Sequence, residues 1–201
     1  VKSMGARNPM EFEYNEVLSE CLLRNFGGLP FDGDEMKTAR YHFLGAGMHR
    51  VQPVPAIELI RQNLDDRDAR HLLVATTAGS ALQILEGDIR RQDRPLTVIH
   101  GSQFKDDQSP DYSYRILSQI ILCMERGGFV VLRSMDRIYG SLYDMLNQNY
   151  TTVGGKRNCR VALGADSNPM CHVADYFRCI VIMDSNEVTD KDPPFLNRFE
   201  K

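Results

Sequence analysis

At 201 residues, with 42% hydrophobic and 25% charged, the chain has the size and composition of one α/β domain or of such a domain with added helices. Its formal net charge of −3 supplies no basic field for nucleic acid, and no apolar run approaches the roughly 20 residues of a bilayer-spanning helix. The five cysteines (Cys21, Cys123, Cys159, Cys171, Cys179) form no CxxC pair, so they point to neither a zinc ribbon nor a disulfide scaffold; free thiols fit a reducing compartment, the cytosol.

Residues 1–52 read as a helical, loop-rich segment. Tyr14, Val17, Leu18, Cys21 and Leu22 give one apolar stripe at helical spacing, and Gly27-Gly28 ends it. Met36 to Leu44 is a weaker helix. The segment opens at Val1 with no signal-peptide pattern. From about Pro53 the pattern changes. Ala56 to Leu64 is a short helix, Leu72 to Val74 a buried strand, and Ala78 to Arg91 a helix. Leu96 to His100 is a second strand. Pro110 to Arg126 is a strong helix whose Ile116, Leu117, Ile120, Ile121 and Met124 face one way. Phe129 to Leu132 is a third strand, and Arg137 to Asn149 a third helix with Asp136 as its cap. Thr151 to Val153, Gly154-Gly155 and Arg160 to Leu163 read as a β-hairpin, followed by a polar loop from Gly164 to Pro169. Phe177 to Met183 is the last strand. The closing FLNRFEK (Phe195 to Lys201) reads as the inside of a helix, and both ends raise the expectation of a piece of a longer polypeptide.

Short apolar strands separated by helices imply βαβ units and a parallel sheet buried on both faces. Four stretches in this order resemble an AAA+ nucleotide-binding core of the P-loop NTPase type. They are HLLVATTAGSALQIL (His71 to Leu85), the strand ending at Arg133-Ser134, the hairpin leading to FRCIVIMDSN (Phe177 to Asn186), and PFLNRFE (Pro194 to Glu200). More narrowly, RHLLVATTAGSALQIL, IHGSQF (Ile99 to Phe104), ILCME (Ile121 to Glu125) and SLYDMLNQNY (Ser141 to Tyr150) resemble a degenerate AAA+ module of the mysterin family, the giant AAA+ RING-type E3 ubiquitin ligases. The likeness covers most of residues 56–201. Before Pro53 it shrinks to RNFGG (Arg24 to Gly28). It implies a degenerate AAA+ core over residues 53–201, with residues 1–52 either the lid of a preceding module or helices packed on this one. It also implies a sheet order of 5-1-4-3-2, with the fifth strand after Lys201.

The resemblance turns attention to the residues where an ATPase keeps its ligands. A working phosphate loop needs GxxxxGK[ST], with glycines for backbone approach and a lysine for charge. Here the turn is Ala75 to Ala81. Gly79 and Ser80 remain and no lysine follows, so the turn reads either as a degenerate phosphate site or as an ordinary strand-to-helix turn capped by Thr77. At the end of the third strand an ATPase carries an acidic pair for Mg²⁺ and water. This chain has Arg133-Ser134, which reads as a tether to a carboxylate or phosphate, or as a plain surface arginine. Asn186 stands where the family places a γ-phosphate-sensing residue, and it reads equally as an exposed turn asparagine. Arg198 matches the position of an arginine finger reaching into a neighbouring module, and otherwise reads as a helix arginine paired with Glu200. No metal site is expected here.

Neighbouring residues support blander readings. His71, His100 and Cys171-His172 offer no recognisable nucleophile spacing, because adjacent strand residues face opposite ways. The run Asp65 to Asp68 is a solvated loop. Three functions remain open: a non-hydrolytic AAA+ scaffold module, an active hydrolase with unusual residues or a weak nucleotide binder, and an α/β interaction domain unrelated to AAA+ proteins. No RING-type Cys/His array occurs in these residues. What the resemblance implies beyond them is ATP and Mg²⁺ in neighbouring modules of the parent chain. It also implies contacts with those modules, a ubiquitin-conjugating enzyme and protein or lipid-associated substrates bound elsewhere in the parent, and a cytoplasmic location that extends to lipid droplets.

Overall fold

The computed structural model describes residues 55–200, apart from 78, 103, 105–108 and 165–166. The helices read from residues 1–52 lie outside the described residues. Asn63–Glu200 form one compact unit, so compactness draws its boundary inside the first described helix, α1 (Ala56–Asp65), with residues up to Gln62 falling outside it.

Within the unit, β1 (His71–Thr76), β2 (Leu96–His100), β3 (Gly128–Arg133), β7 (Phe177–Asp184) and β8 (Phe199–Glu200) make one sheet in the order β2-β3-β7-β1-β8. Every pairing in it is parallel. Numbered along the chain these strands run 5-1-4-3-2, the expected order. One expectation is corrected. The fifth strand does not wait until after Lys201. It begins at Phe199, which pairs with His71, so FLNRFEK is not helix interior. The helix there, α7 (Pro193–Leu196), stops because Asn197 ends it and Phe199 turns into the core.

Three elements cover the sheet. The helix α2 (Ala81–Ile89) follows β1 and continues as a 3-10 turn through Gln92. The helix α3 (Pro110–Arg126) follows β2, with Ser109 accepting the Tyr112 N–H at 3.2 Å and proline at its start. Its Ile116, Leu117, Ile120 and Met124 are buried, as their spacing required. The third expected helix is broken into α4 (Asp136–Tyr139), a 3-10 turn (Gly140–Leu142) and α5 (Tyr143–Leu146). Gly140 sits at the break, and the Ser141 carbonyl accepts the Ala162 N–H at 3.0 Å instead of serving a longer helix. Asp136 lies inside α4, not at its cap. Met135 holds that position without a side-chain cap, and Asp136 pairs with Lys191 at 2.6 Å.

The insertion is a separate antiparallel sheet, β4 (Thr151–Val153), β5 (Lys156–Arg160) and β6 (Met170–His172). Gly154 and Gly155 take φ of +59° and +76°, the left-handed pair that a two-residue hairpin needs. The second arm thus starts at Lys156, four residues before the expected Arg160. A third strand follows the polar loop.

The core runs through all of β3 and β7. Val130, Val131, Ile180 and Val181 have no exposed surface. At the N-terminal edge of the sheet three polar side chains, His71, Arg178 and Asn63, are buried as well. The Nδ1 of His71 accepts the Cys179 N–H at 3.1 Å, and its Nε2 faces the Met145 carbonyl at 3.1 Å and the Tyr150 hydroxyl at 3.4 Å. Burial, reinforced by the charge of Arg178, lowers the His71 pKa to about 3 and keeps the ring neutral. Arg178 donates to the carbonyls of Ala69, Arg70 and Asp66, closing the loop before β1. Asn63 donates to Arg70 O at 3.1 Å and to Glu200 Oε2 at 2.6 Å, tying β8 to the start of β1.

Candidate functional site

In open parallel sheets ligands bind beyond the carboxyl ends of the strands. Here those ends are Thr76, His100, Arg133 and Asp184. The register aligns them: Thr76 with Asp184, and Arg133 with both His100 and Ile182. The turn after β1 carries Gly79 at φ +74°. Ser80, exposed, takes the cap position of α2 without a side-chain hydrogen bond, so the capping read for Thr77 belongs to the Ser80 position and its hydroxyl leaves it unused.

Arg133 lies over this turn. A Cβ placed on Gly79 would come within 3.0 Å of its Nη2, and the neighbouring guanidinium atoms follow at 3.8 Å. The cation that the sequence puts at the end of β3 therefore reaches the turn that follows β1. Among the described residues no carboxylate forms an ion pair with it. Ser134, next in line, adopts φ +56°, unusual for serine. Its carbonyl presses on Gly101, where a Cβ would come within 1.8 Å of it, and Gly101 N–H bonds to Arg133 O at 2.8 Å. Only glycine fits that close approach between the β2 and β3 ends.

The acids at this edge are engaged in the module's own structure. The Asp184 side chain caps α6 (Ser185–Thr189) by accepting the Asn186 N–H at 2.9 Å. Asp136 is held by Lys191. Asn186 is exposed in the first turn of α6, two residues beyond the β7 end. Bound Mg²⁺ nucleotide calls for a lysine on the turn and an acidic pair on β3. The donors present are a guanidinium and a serine, and they do not fit that group. Among the described residues no cluster of three or more His, Cys, Asp or Glu could hold a metal ion.

Arg198 is placed elsewhere. It directly precedes β8, whose Phe199 pairs with the first residue of β1, so it lies a strand's length, about 17 Å along β1, from the Gly79 turn. It makes no ion pair with Glu200. Its guanidinium stands over the Tyr143 ring at 4.2 Å and reaches Phe195 at 5.9 Å. The structure thus brings Gly79, Ser80 and Arg133 together, sets Asn186 beyond the adjacent strand end, and separates Arg198.

Three of the described thiols carry no nucleophile signature. Cys159, Cys171 and Cys179 are buried, burial pushes Cys159 up to about 12, and burial also raises Cys171 and Cys179. Residue-level reading missed Asp184 and Arg178. An arginine inside the otherwise apolar FRCIVIM was the available signal for a buried, fully used cation.

The RNF213 AAA domain family matches residues 61–201. This chain belongs to that family. The match covers the whole parallel sheet and both ends of the crevice, and with the strand order it overturns the reading of an interaction domain unrelated to AAA+ proteins. The chain is 34% identical over 202 residues to the E3 ubiquitin-protein ligase RNF213 of Mus musculus, covering 92% of this chain. It is 34% identical over 195 residues to rnf213-beta of Danio rerio (93% of this chain) and 32% over 198 residues to RNF213 of Homo sapiens (92%). The chain spans about 4% of the length of each of these relatives. Among the described residues no helix is long and apolar enough to cross a membrane.

Proposed function

We propose that this domain is a non-hydrolytic AAA+ module with a scaffold role in an RNF213-like E3 ubiquitin ligase, coupling active AAA+ modules to the ligase part. The observation that carries this reading is the Arg133 guanidinium against Gly79. A hydrolysing module needs a cation on the turn that follows β1 and carboxylates on β3. Here the cation comes from β3 itself, so no residue at that strand end polarises water or holds Mg²⁺. The fold survives because its packing lies in β3, β7 and α3, none of which depends on a bound nucleotide.

In this reading ATP and Mg²⁺ act in neighbouring modules of the parent chain. The adjacent AAA+ modules are the direct partners, and Arg198 is the residue that would meet a neighbour's nucleotide. The ubiquitin-conjugating enzyme and the protein or lipid-associated substrates engage other parts of the parent. Buried, unpaired cysteines support a cytoplasmic setting, with lipid droplets as a further location of the family.

Calorimetric titration of the intact chain with ATP and Mg²⁺, together with a phosphate-release assay, tests the reading. The expected result is no micromolar binding and no turnover. Micromolar binding accompanied by turnover that Ser80→Ala or Arg133→Ala abolishes would replace it with an unusual active hydrolase.

A further inference from the structure

The N-terminal edge of the parallel sheet holds a pocket that the nucleotide reading leaves unused. Its volume is about 350 Å³, and Leu64, Asp65, Arg67, Arg94, Asp175 and Tyr176 are among its walls. Two of the arginines are fixed by the same tyrosine. Arg67 donates to the Tyr176 hydroxyl at 2.9 Å and lies over the ring at 4.8 Å. Arg94 donates to the Tyr176 carbonyl and stacks on Phe129 at 4.0 Å. Each guanidinium has five N–H donors, so most remain available. Among the described residues no carboxylate oxygen lies within ion-pair distance of either. Asp175 is drawn instead to Arg157 at 3.3 Å.

We propose that this pocket receives an acidic side chain, the carboxylate of a glutamate or aspartate on a partner polypeptide segment. Two planar forks already held against aromatic rings lose little freedom on binding a planar carboxylate, which each can grip through two parallel bonds. Charge decides between anions. Three arginines face the pocket, Arg178 being the third, against two aspartates, which leaves one net positive charge. One carboxylate matches it, whereas a phosphate near −2 would overmatch it and meet both aspartates. Leu64 offers an apolar wall for the methylene stem. The volume admits one side chain and not a folded element. The inference does not rest on the scaffold reading, because it concerns the opposite edge of the sheet.

Fluorescence anisotropy on the intact chain tests it, with a fluorescein-labelled, end-blocked Gly-Ser-Glu-Leu-Gly peptide and its Gln counterpart. The Glu peptide is expected to bind at least tenfold more tightly. Arg67→Gln, an exposed position that does not threaten the fold, and Arg94→Gln should each weaken it about tenfold. Arg90→Gln, an exposed arginine beside Glu86, should leave it unchanged. Equal affinity for the two peptides, absence of binding up to millimolar concentration, or full affinity in Arg67→Gln overturns the proposal. So does displacement of the label by inorganic phosphate at lower concentration than by glutarate, which would assign the pocket to phosphate.

Discussion

Arg133 and Arg178 stand on neighbouring strands at opposite edges of one sheet, and their surroundings could hardly differ more. Arg178, near the start of β7, is 5% exposed and donates to three carbonyls of the loop that leads into β1. Arg133, at the end of β3, rests on the Gly79 turn without an ion pair among the described residues. The N-terminal edge is thus tied together by Arg178, His71 and Asn63, which bridge the loop before β1, β7 and β8. At the C-terminal edge, where open parallel sheets bind ligands, the donors present are the Arg133 guanidinium and Ser80. A strand-end arginine is defined by what it contacts: Arg178 is spent on carbonyls of the fold, and Arg133 lies on a turn.

The comparison breaks most readily at Arg178. Arg178→Met keeps the bulk of the side chain and removes every donor, leaving buried carbonyls unpaired. Stability should fall by about 3 kcal/mol, read from urea unfolding at pH 7. Arg178→Lys should recover less than half, because an ammonium cannot span carbonyls that a planar fork reaches together. A loss below about 1 kcal/mol, within the range of ordinary substitutions, would mean that the loop does not need the arginine.

The same edge predicts a pH dependence. His71 is neutral in the fold with a pKa near 3, against 6.5 for the free side chain. Below pH 6.5 the unfolded chain takes up a proton that the folded chain refuses. The stability held by the neutral ring is therefore complete above about pH 6.5 and declines as pH falls toward 3. Between pH 7 and pH 5 the loss should be roughly 2 kcal/mol. In NMR titration the His71 imidazole should stay neutral at pH 4.5. A His71 midpoint near 6 would show that the ring is not sealed between β1 and β7.

Much of this frame was legible in the sequence, for a physical reason. Strands buried on both faces, such as FVVL and CIVIM, cannot be confused with surface, and α3 announced itself through its apolar spacing from Pro110 to Arg126. The replacement of ligands at Gly79, Ser80, Arg133 and Ser134 was equally visible, because a missing lysine and missing acids are matters of residue type. What stayed hidden depends on tertiary partners. The break at Gly140 follows from the Ser141 carbonyl being claimed by Ala162. The short β8 is held by Glu200, Asn63 and Arg70, and two residues carry no periodicity. The reach of Arg133 across to β1 depends on sheet order, which no local pattern encodes.

At the C-terminal edge the effects should be smaller and of opposite sign. Ser134 holds φ +56°, a conformation that costs a residue with a Cβ roughly 1–2 kcal/mol and glycine nothing, while glycine loses about 0.5–1 kcal/mol through chain entropy. Ser134→Gly should therefore stabilise the domain by about 0.5 kcal/mol. A serine carried at strain where an ATPase keeps its catalytic acid would thereby be shown to contribute nothing to folding. Destabilisation instead would reveal a hydroxyl contact that matters.

Arg133→Gln is the smallest and the most discriminating change. The guanidinium lies over Gly79, one residue before the cap position of α2. A positive charge at a helix N-terminus opposes the macrodipole, by about 0.3–1 kcal/mol when exposed at low salt. With no carboxylate to offset it, removing the charge should raise stability by a few tenths of a kcal/mol in dilute buffer. The gain should vanish near 1 M salt, where the screening length is about 3 Å. Paired urea curves at the two ionic strengths measure it. A salt-independent loss would mean that Arg133 is anchored as Arg178 is, and the contrast between the two edges of the sheet would collapse.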